Sequence, residues 1–244
     1  MRFDNQDMDT IQLPNTNFTF SAVKPEKLGA TEYTLVTIVM DKSGSLGGFE
    51  NDLLEMVKKV AEACQKSPRA DNILLRFVTF ANRVHEEHGF IDVLTIDLKD
   101  YAAFNCNGGT ALVDASYSAI EATAKYSKIL LDQDYSVNSI LYIITDGDDN
   151  GSVHGFNDLK KSIEDVQKSE LVNSMTTILI GLNTSECGGY LETFKDSSGI
   201  THYLDMGDVT ASKLGKLGGF ISKSISSQSQ SLQTGQQASI DLTF

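Results

Sequence analysis

Oxygen-bearing side chains cluster at three places where apolar stretches of the sequence end or helices begin. Asp41, Ser43 and Ser45 follow directly on an apolar run rich in β-branched residues. Thr110 lies in a GGT segment at the predicted start of a helix, and Asp146 follows another apolar run, in the segment TDG. Ligands of open α/β sheets bind at the carboxyl ends of the strands, so we expect these five residues to converge at one sheet edge.

Each segment also has a simpler explanation. Serine, aspartate and glycine are common in turns, so DKSGS and DGDDNG are also typical of ordinary solvated loops. Thr110 alone would suit a helix N-cap, with Asp114 favouring the positive end of the helix dipole. Two apolar strands that each end in aspartate, beside a third oxygen-rich loop, make these explanations insufficient when the segments are taken together.

The donor set predicts a hard divalent cation. Mg²⁺ prefers oxygen ligands and keeps several waters, with Mn²⁺ or Ca²⁺ as the alternatives, whereas zinc and copper sites use His or Cys. Ser43, Ser45 and Thr110 are neutral donors. If only one of Asp41 and Asp146 touches the ion, its charge is under-neutralised, and a carboxylate from a partner would complete the shell.

The elements that would position these residues alternate between strands and helices. Most of the predicted strands are continuously apolar, which is typical of a parallel sheet covered on both faces. Six strands are predicted, at 33–40, 73–80, 90–98, 139–145, 175–182 and 200–206. The segment FIDVLTIDL, at 90–98, alternates between apolar and polar residues and is predicted to be a half-buried edge strand. Helices are predicted near 49–64, 110–128, 159–166, 190–195 and 209–225.

Together, Asp41, Ser43, Ser45, Thr110 and Asp146 resemble the DxSxS…T…D signature of the von Willebrand factor A (VWA) domain, its metal-ion-dependent adhesion site (MIDAS). The resemblance implies a doubly wound, Rossmann-like α/β sheet with one antiparallel edge strand. It implies Mg²⁺ or Mn²⁺ held by the three hydroxyls, with the two aspartates acting partly through water. It also implies a protein ligand that presents Asp or Glu.

The resemblance covers residues 31–226. Residues 1–30 are predicted to be an N-terminal arm with an edge strand around 18–23, and residues 227–244 a Ser/Gln-rich tail. The last six residues, SIDLTF, alternate and suggest another short strand beside the arm. Extracellular VWA proteins often carry disulfides and signal sequences. This chain lacks both patterns and is more similar to intracellular, stand-alone bacterial and phage members, which are often partners of AAA+ ATPases or of stress and conflict systems.

Composition excludes several classes of partner. The chain has 244 residues and a formal net charge of −13, which repels nucleic acids and anionic membranes. Its three cysteines are far apart and form no CxxC pair, which indicates free thiols in a reducing compartment. No apolar run approaches the length needed to cross a bilayer. We therefore expect a cytoplasmic protein that binds neither nucleic acid nor membrane; its oligomeric state is not predicted.

Three functions compete. The first is a Mg²⁺-dependent protein-binding adaptor, and the second is a structural assembly subunit with a stabilising metal. The third is a Mg²⁺-dependent phosphohydrolase, but the position where the haloacid-dehalogenase phosphatases carry a second, acidic aspartate holds Ser43, which cannot act as an acid near neutral pH. We therefore expect no enzymatic activity.

Several polar segments near the predicted site are interpreted as ordinary surface. HEEHG (85–89) has His at i and i+3, not the zinc-binding i and i+4, and is interpreted as a solvated hairpin turn. Asp148 and Asp149 are assigned to a loop tip in preference to a second cation site. Lys42 is expected to point to solvent.

Overall fold

The computed structural model describes residues 7–14, 16–168 and 175–234. They form eight strands, β1 to β8, at Met8–Gln12, Thr19–Val23, Glu32–Asp41, Ile73–Phe80, Val84–Asp92, Ser136–Thr145, Met175–Gly181 and His202–Asp205. Five α-helices, α1 to α5, lie at Glu50–Gln65, Leu112–Leu131, Phe156–Lys168, Thr184–Ser198 and Ala211–Thr234.

The described strands form one sheet in the order β1-β2-β5-β4-β3-β6-β7-β8. In this order the neighbouring pairs β4-β3, β3-β6, β6-β7 and β7-β8 are parallel. The pairs β5-β4 and β1-β2 are antiparallel. The strand order reverses at β3, from which the chain proceeds first to β4 on one side and later to β6 on the other. The mainly parallel α/β sheet is confirmed, and the point of reversal lies at the carboxyl end of β3.

Helices cover both faces of the sheet. Val36, Ile38 and Met40 of β3 pack with helices α1 and α5, and the alternate residues Leu35 and Val39 face the opposite layer, which contains α2, α3 and α4. The near-continuous apolar sequence of β3 follows from this burial on both faces.

The predicted six strands become eight because the N-terminal segment contributes β1 and β2. Strand β2 lies beside β5 with a parallel bridge between Ala22 and Phe90, so β5 is not the edge of the sheet. At this point Gly89 is required, because a Cβ there would lie 1.9 Å from the Ser21 carbonyl oxygen. The predicted antiparallel edge strand is therefore antiparallel but internal.

The interpretation of HEEHG as a hairpin turn is wrong, since these residues lie within β5. Glu86 accepts a hydrogen bond from the buried Arg76 guanidinium at 2.7 Å, and His88 is buried with its Nε2 2.9 Å from the Tyr101 hydroxyl. Strand β5 ends at Asp92, and 93–95 form a short 3₁₀ turn in place of the predicted strand to residue 98. Polar residues with buried partners concealed the strand.

Helix α5 continues through Thr234, well into the stretch whose composition suggested a tail. Gln228 and Ser229 are buried there. Asn138 donates to the Gln228 carbonyl at 2.5 Å and Arg69 donates to the Ser229 hydroxyl at 3.0 Å. The predicted SIDLTF strand lies outside the described residues. Of the described helices, none combines the length and apolar character needed to cross a membrane.

Candidate metal centre

The two aspartates lie at the carboxyl ends of the two central strands. Asp41 is the last residue of β3 and Asp146 follows the last residue of β6, and these strands are parallel neighbours with Met40 opposite Ile144. Asp41 has no exposed surface and Asp146 is 7% exposed. Both carboxylates therefore lie at the same edge of the sheet and are almost completely shielded from solvent.

Hydroxyl groups link this edge into one hydrogen-bonded cluster. Ser43 and Ser45 lie on the turn that follows β3, and their Oγ atoms are 3.1 Å apart. The Ser45 hydroxyl donates to Asp146 Oδ1 at 2.7 Å. The Thr110 hydroxyl comes beside the same loop, since a Cβ on Gly147 would lie 3.6 Å from its Oγ1. The structure thus brings all five residues predicted from the sequence to one place.

Each carboxylate oxygen of Asp41 accepts a hydrogen bond from the protein. Its Oδ1 accepts the Ser43 backbone N–H at 2.7 Å, and its Oδ2 accepts the Thr145 hydroxyl at 2.5 Å. Burial raises the pKa of Asp41 from 3.8 to about 6, and the negative charge of Asp146 adds to the rise, while the hydrogen bonds from Thr145 and Ser43 oppose it. Asp41 thus orients the turn that carries Ser43.

Burial also raises the pKa of Asp146, while hydrogen bonds from Ser45 and Asn183 oppose the rise. No basic side chain of the described residues is paired with either aspartate. The nearest candidate in sequence, Lys42, turns to Glu87 with 3.8 Å between Nζ and Oε1, and its side chain is 26% exposed. The Lys42 side chain, expected to point to solvent, is therefore partly exposed and lies towards Glu87.

The donor set fits a hard divalent cation. Within the described ranges no three His, Cys, Asp or Glu side chains come together, so any metal here would depend on hydroxyl oxygens as well as carboxylates. The site instead offers three hydroxyls and two carboxylates, and a cation among them would offset the cost of bringing two buried negative charges together. Ser43, Ser45 and Thr110 would hold it directly, with Asp146 and Asp41 as the charged partners.

Comparison with known proteins places the fold but not a family. No protein-family model matches the chain, and no curated protein matches its sequence. Among solved structures, the D319A mutant of the PilB minor pilin from Streptococcus sanguinis has a TM-score of 0.59 at 14% identity, covering 95% of this chain and 77% of that one. The SpaC pilus adhesin from Lactobacillus rhamnosus GG has a TM-score of 0.58 at 11% identity, covering 91% and 35%.

Proximal thread matrix protein 1 (PTMP1) from the mussel byssus, in a structure with a zinc-occupied MIDAS motif, has a TM-score of 0.52 at 18% identity, covering 80% of this chain and 46% of that one. This chain shares its overall α/β fold with these structures. This chain spans about three quarters of the pilin chain, less than half of PTMP1 and about a third of SpaC. At these identities the likeness shows the fold alone. The zinc in the MIDAS motif is a property of the PTMP1 structure.

Four supporting residues escaped prediction. Thr145 donates to Asp41, Asn183 to Asp146, and the side chains of Asn82 and Asn150 accept the backbone N–H groups of Gly109 and Thr110 at 2.6 and 2.8 Å. Asn82 and Asn183 each lie one or two residues beyond a strand end, as Asp146 does. Position after a strand was therefore the available signal, although asparagine in a loop carries no special meaning by itself.

Proposed function

We propose that this chain is a divalent-metal-dependent protein-binding module, with Mg²⁺ as the expected ion and Mn²⁺ or Ca²⁺ as alternatives. The supporting observation is the hydrogen-bonded cluster of Asp41, Ser43, Ser45 and Asp146 at the ends of the central strands, with Thr110 beside it. It gathers hydroxyl oxygens around two buried carboxylates that have no basic counter-charge among the described residues.

The partner would present an Asp or Glu side chain. Both aspartates accept hydrogen bonds from the protein, but Asp41 has no exposed surface whereas Asp146 is 7% exposed, so we assign the direct contact with the ion to Asp146. One direct carboxylate leaves a divalent ion with uncompensated charge, which a partner carboxylate would neutralise. The net charge of −13 argues against nucleic acid and anionic membranes as partners.

The metal would therefore serve recognition and not catalysis. A phosphohydrolase would need an acid near the nucleophilic position, where this chain has Ser43. The cytoplasmic location and the link to AAA+, stress or conflict complexes stay predictions from the sequence. Free thiols at Cys64, Cys106 and Cys187 support a reducing compartment. Turnover of a phosphate ester with Mg²⁺ would overturn the binding function.

A structural assembly subunit is the second candidate, because β1 lies at the sheet edge with one side of its backbone unpaired by any described strand. A second chain could extend the sheet there. Size measurement by light scattering separates the two functions. A large homo-oligomer that persists in EDTA would favour assembly. A molar mass equal to that of one chain, both in MgCl₂ and in EDTA, would favour the binding module.

The direct test is calorimetric titration of MgCl₂ into the wild type, Asp41→Ala and Asp97→Ala. Asp97 is a matched control, because its carboxylate accepts an N–H two residues on, as that of Asp41 does, but on the exposed surface. We expect Asp41→Ala alone to lose binding, and equal affinity in all three proteins would reject the site. A pulldown with and without EDTA then tests the partner, since identical partners in both conditions would contradict metal-mediated recognition.

A further inference from the structure

The loop that follows Asp146 is bound to the start of helix α2 and is not a solvated turn. We call the contact between residues 149–154 and residues 110–114 the clasp. Eight hydrogen bonds cross it, in both directions. One of the two segments of the clasp includes the predicted ligand Thr110, and the other lies shortly after the predicted ligand Asp146 in the chain.

In one direction, the loop caps the helix. Helix α2 has no side-chain cap of its own at Ala111. Two N–H groups of its first turn are instead accepted by loop side chains, Val113 donating to Asp149 Oδ1 at 3.1 Å and Asp114 to Ser152 Oγ at 2.9 Å. The loop thus supplies what a local N-cap residue ordinarily supplies. Asp149, assigned to a loop tip from the sequence, has this role.

In the other direction, Asp114 binds the loop. Its carboxylate accepts the backbone N–H groups of Val153 at 3.0 Å and His154 at 2.9 Å, and lies 2.7 Å from His154 Nδ1. The His154 ring stacks on Tyr117 with centroids 4.6 Å apart. A buried carboxylate bonded to two successive amides fixes the path of the loop.

Thr110 itself is held by the loop at both of its backbone polar groups. Its N–H donates to Asn150 Oδ1, and its carbonyl accepts the N–H groups of Asn150 at 2.9 Å and Gly151 at 3.1 Å. Gly109 makes this approach possible, because a Cβ there would lie 2.5 Å from Asn150 Oδ1. The GGT segment therefore needs a glycine at position 109, so that Asn150 can approach the backbone of Thr110.

We propose that Asn150 and Asp114 are positioning residues for the metal site, acting through Thr110. The inference rests on the proposed function, since it concerns the same ion. Thr110 and Asp146 come from different elements, and a metal shell requires both oxygens at fixed separation. The clasp sets that separation through the backbone, without Asn150 or Asp114 belonging to the predicted ligand set. Groups that orient ligands in this way typically change metal affinity by 10–100-fold when removed.

The test compares Asn150→Ala and Asp114→Asn with Asp158→Asn by calorimetric titration of MgCl₂. Asp158 is the matched control, because it accepts the Gly155 N–H near the same loop but has no bond to α2. We expect the first two variants to bind Mg²⁺ at least 10-fold more weakly and the control to stay within 2-fold. Asn150→Asp keeps the acceptor for the Thr110 N–H and is expected to bind more tightly than Asn150→Ala.

A merely structural role is separated by a second readout, the melting temperature in EDTA and in saturating MgCl₂. A structural role lowers both values equally and leaves the Mg²⁺ affinity unchanged, which would overturn the proposal. Positioning lowers the shift that Mg²⁺ produces. If Asn150→Ala does not fold, Ser152→Ala, which removes one bond of the clasp, takes its place in the same comparison.

The two proposals fail differently. Absence of Mg²⁺, Mn²⁺ and Ca²⁺ binding to the wild type would overturn the metal site and the positioning role together. Normal binding to the wild type and equal binding to both clasp variants would overturn the positioning role alone.

Discussion

Replacing Asp41 with asparagine should stabilise the protein in EDTA and abolish its response to Mg²⁺. The substitution keeps the side-chain shape, and the asparagine oxygen can still accept the Ser43 N–H that Asp41 accepts at 2.7 Å. The asparagine amide can in turn donate to the Thr145 hydroxyl, which donates to Asp41 in the wild type. What the change removes is a fully buried negative charge near Asp146.

The size of the effect follows from the pKa of Asp41, which burial raises from 3.8 to about 6. A folded-state pKa above the unfolded value means that the ionised group destabilises the folded protein at neutral pH. Each pKa unit corresponds to about 1.4 kcal/mol, so the difference amounts to about 3 kcal/mol. For a chain of this size, that corresponds to a rise in melting temperature of roughly 6–12 °C for Asp41→Asn.

The pH dependence has a defined sign. The favourable contribution of protonated Asp41 is complete below about pH 4 and is lost as the pH rises through about 6. Wild type in EDTA should therefore lose stability across that range relative to Asp41→Asn. In MgCl₂ the difference in stability between the two proteins should become smaller or change sign, because a bound cation compensates the negative charge of the carboxylate in the wild type alone.

Urea unfolding at pH 4.5 and 7.5, with EDTA or with MgCl₂, measures these differences. Asp97→Asn is the control, since Asp97 makes the same type of hydrogen bond at an exposed position, and it should change stability by less than about 0.5 kcal/mol. A metal-free Asp41→Asn protein that is less stable than the wild type at pH 7.5 would refute the electrostatic reasoning, as would an unchanged response to Mg²⁺.

Three further predictions concern the sheet. Glu86→Gln should lower the free energy of unfolding by about 3 kcal/mol in urea titration, because the buried Arg76 guanidinium loses its counter-charge. Gly89→Ala should lower the melting temperature, because the added Cβ would collide with the Ser21 carbonyl and separate β2 from β5. Burial lowers the pKa of His88 to about 4, so its NMR signals should stay those of a neutral ring down to pH 5, and its contribution to stability should be lost as the pH falls from 6.5 through 4.

Two of the three have a contrasting position in the chain. Glu62→Gln alters an exposed pair with Lys66 and should be nearly neutral, as should Gly29→Ala, where a Cβ would meet nothing within 4 Å. Equal losses for the Glu86 and Glu62 variants would contradict the buried-pair explanation. A melting temperature unchanged by Gly89→Ala, or a His88 ring that protonates near pH 6.5, would contradict the described packing of β5.

The sequence allowed prediction of elements whose burial is complete on both faces. Strands β3 and β6 are continuous apolar runs that each lead directly into an aspartate, so the strand, its parallel neighbours and the donor at its end could be inferred together. Strand β5 was misread because Glu86 and His88 are polar, and their buried partners Arg76 and Tyr101 lie elsewhere in the sequence. Local pattern does not encode such a pairing.

The same limit divides the site. Ser43, Ser45 and Thr110 could be predicted because hydroxyls near strand ends suit a hard cation. The residues that hold them in place could not, because Asn150 and Asp149 in an acidic, glycine-containing loop look like a solvated turn until their partners on α2 are known. Support for a site comes from contacts distant in sequence, whereas the chemistry of its donors is visible residue by residue.

The order of protons within the cluster adds a constraint on where a cation would lie. Ser45 donates its single proton to Asp146, so it has none left for the Ser43 hydroxyl 3.1 Å away. The single Ser43 proton has two acceptors within reach, the Ser45 oxygen and the Asp41 carboxylate, which a hydrogen bond from the Ser43 side chain helps to keep ionised. With either acceptor Ser43 is the donor, so both lone pairs of its oxygen stay available. A cation that approaches from the Ser43 side therefore meets oxygen lone pairs that are not already engaged by the protein.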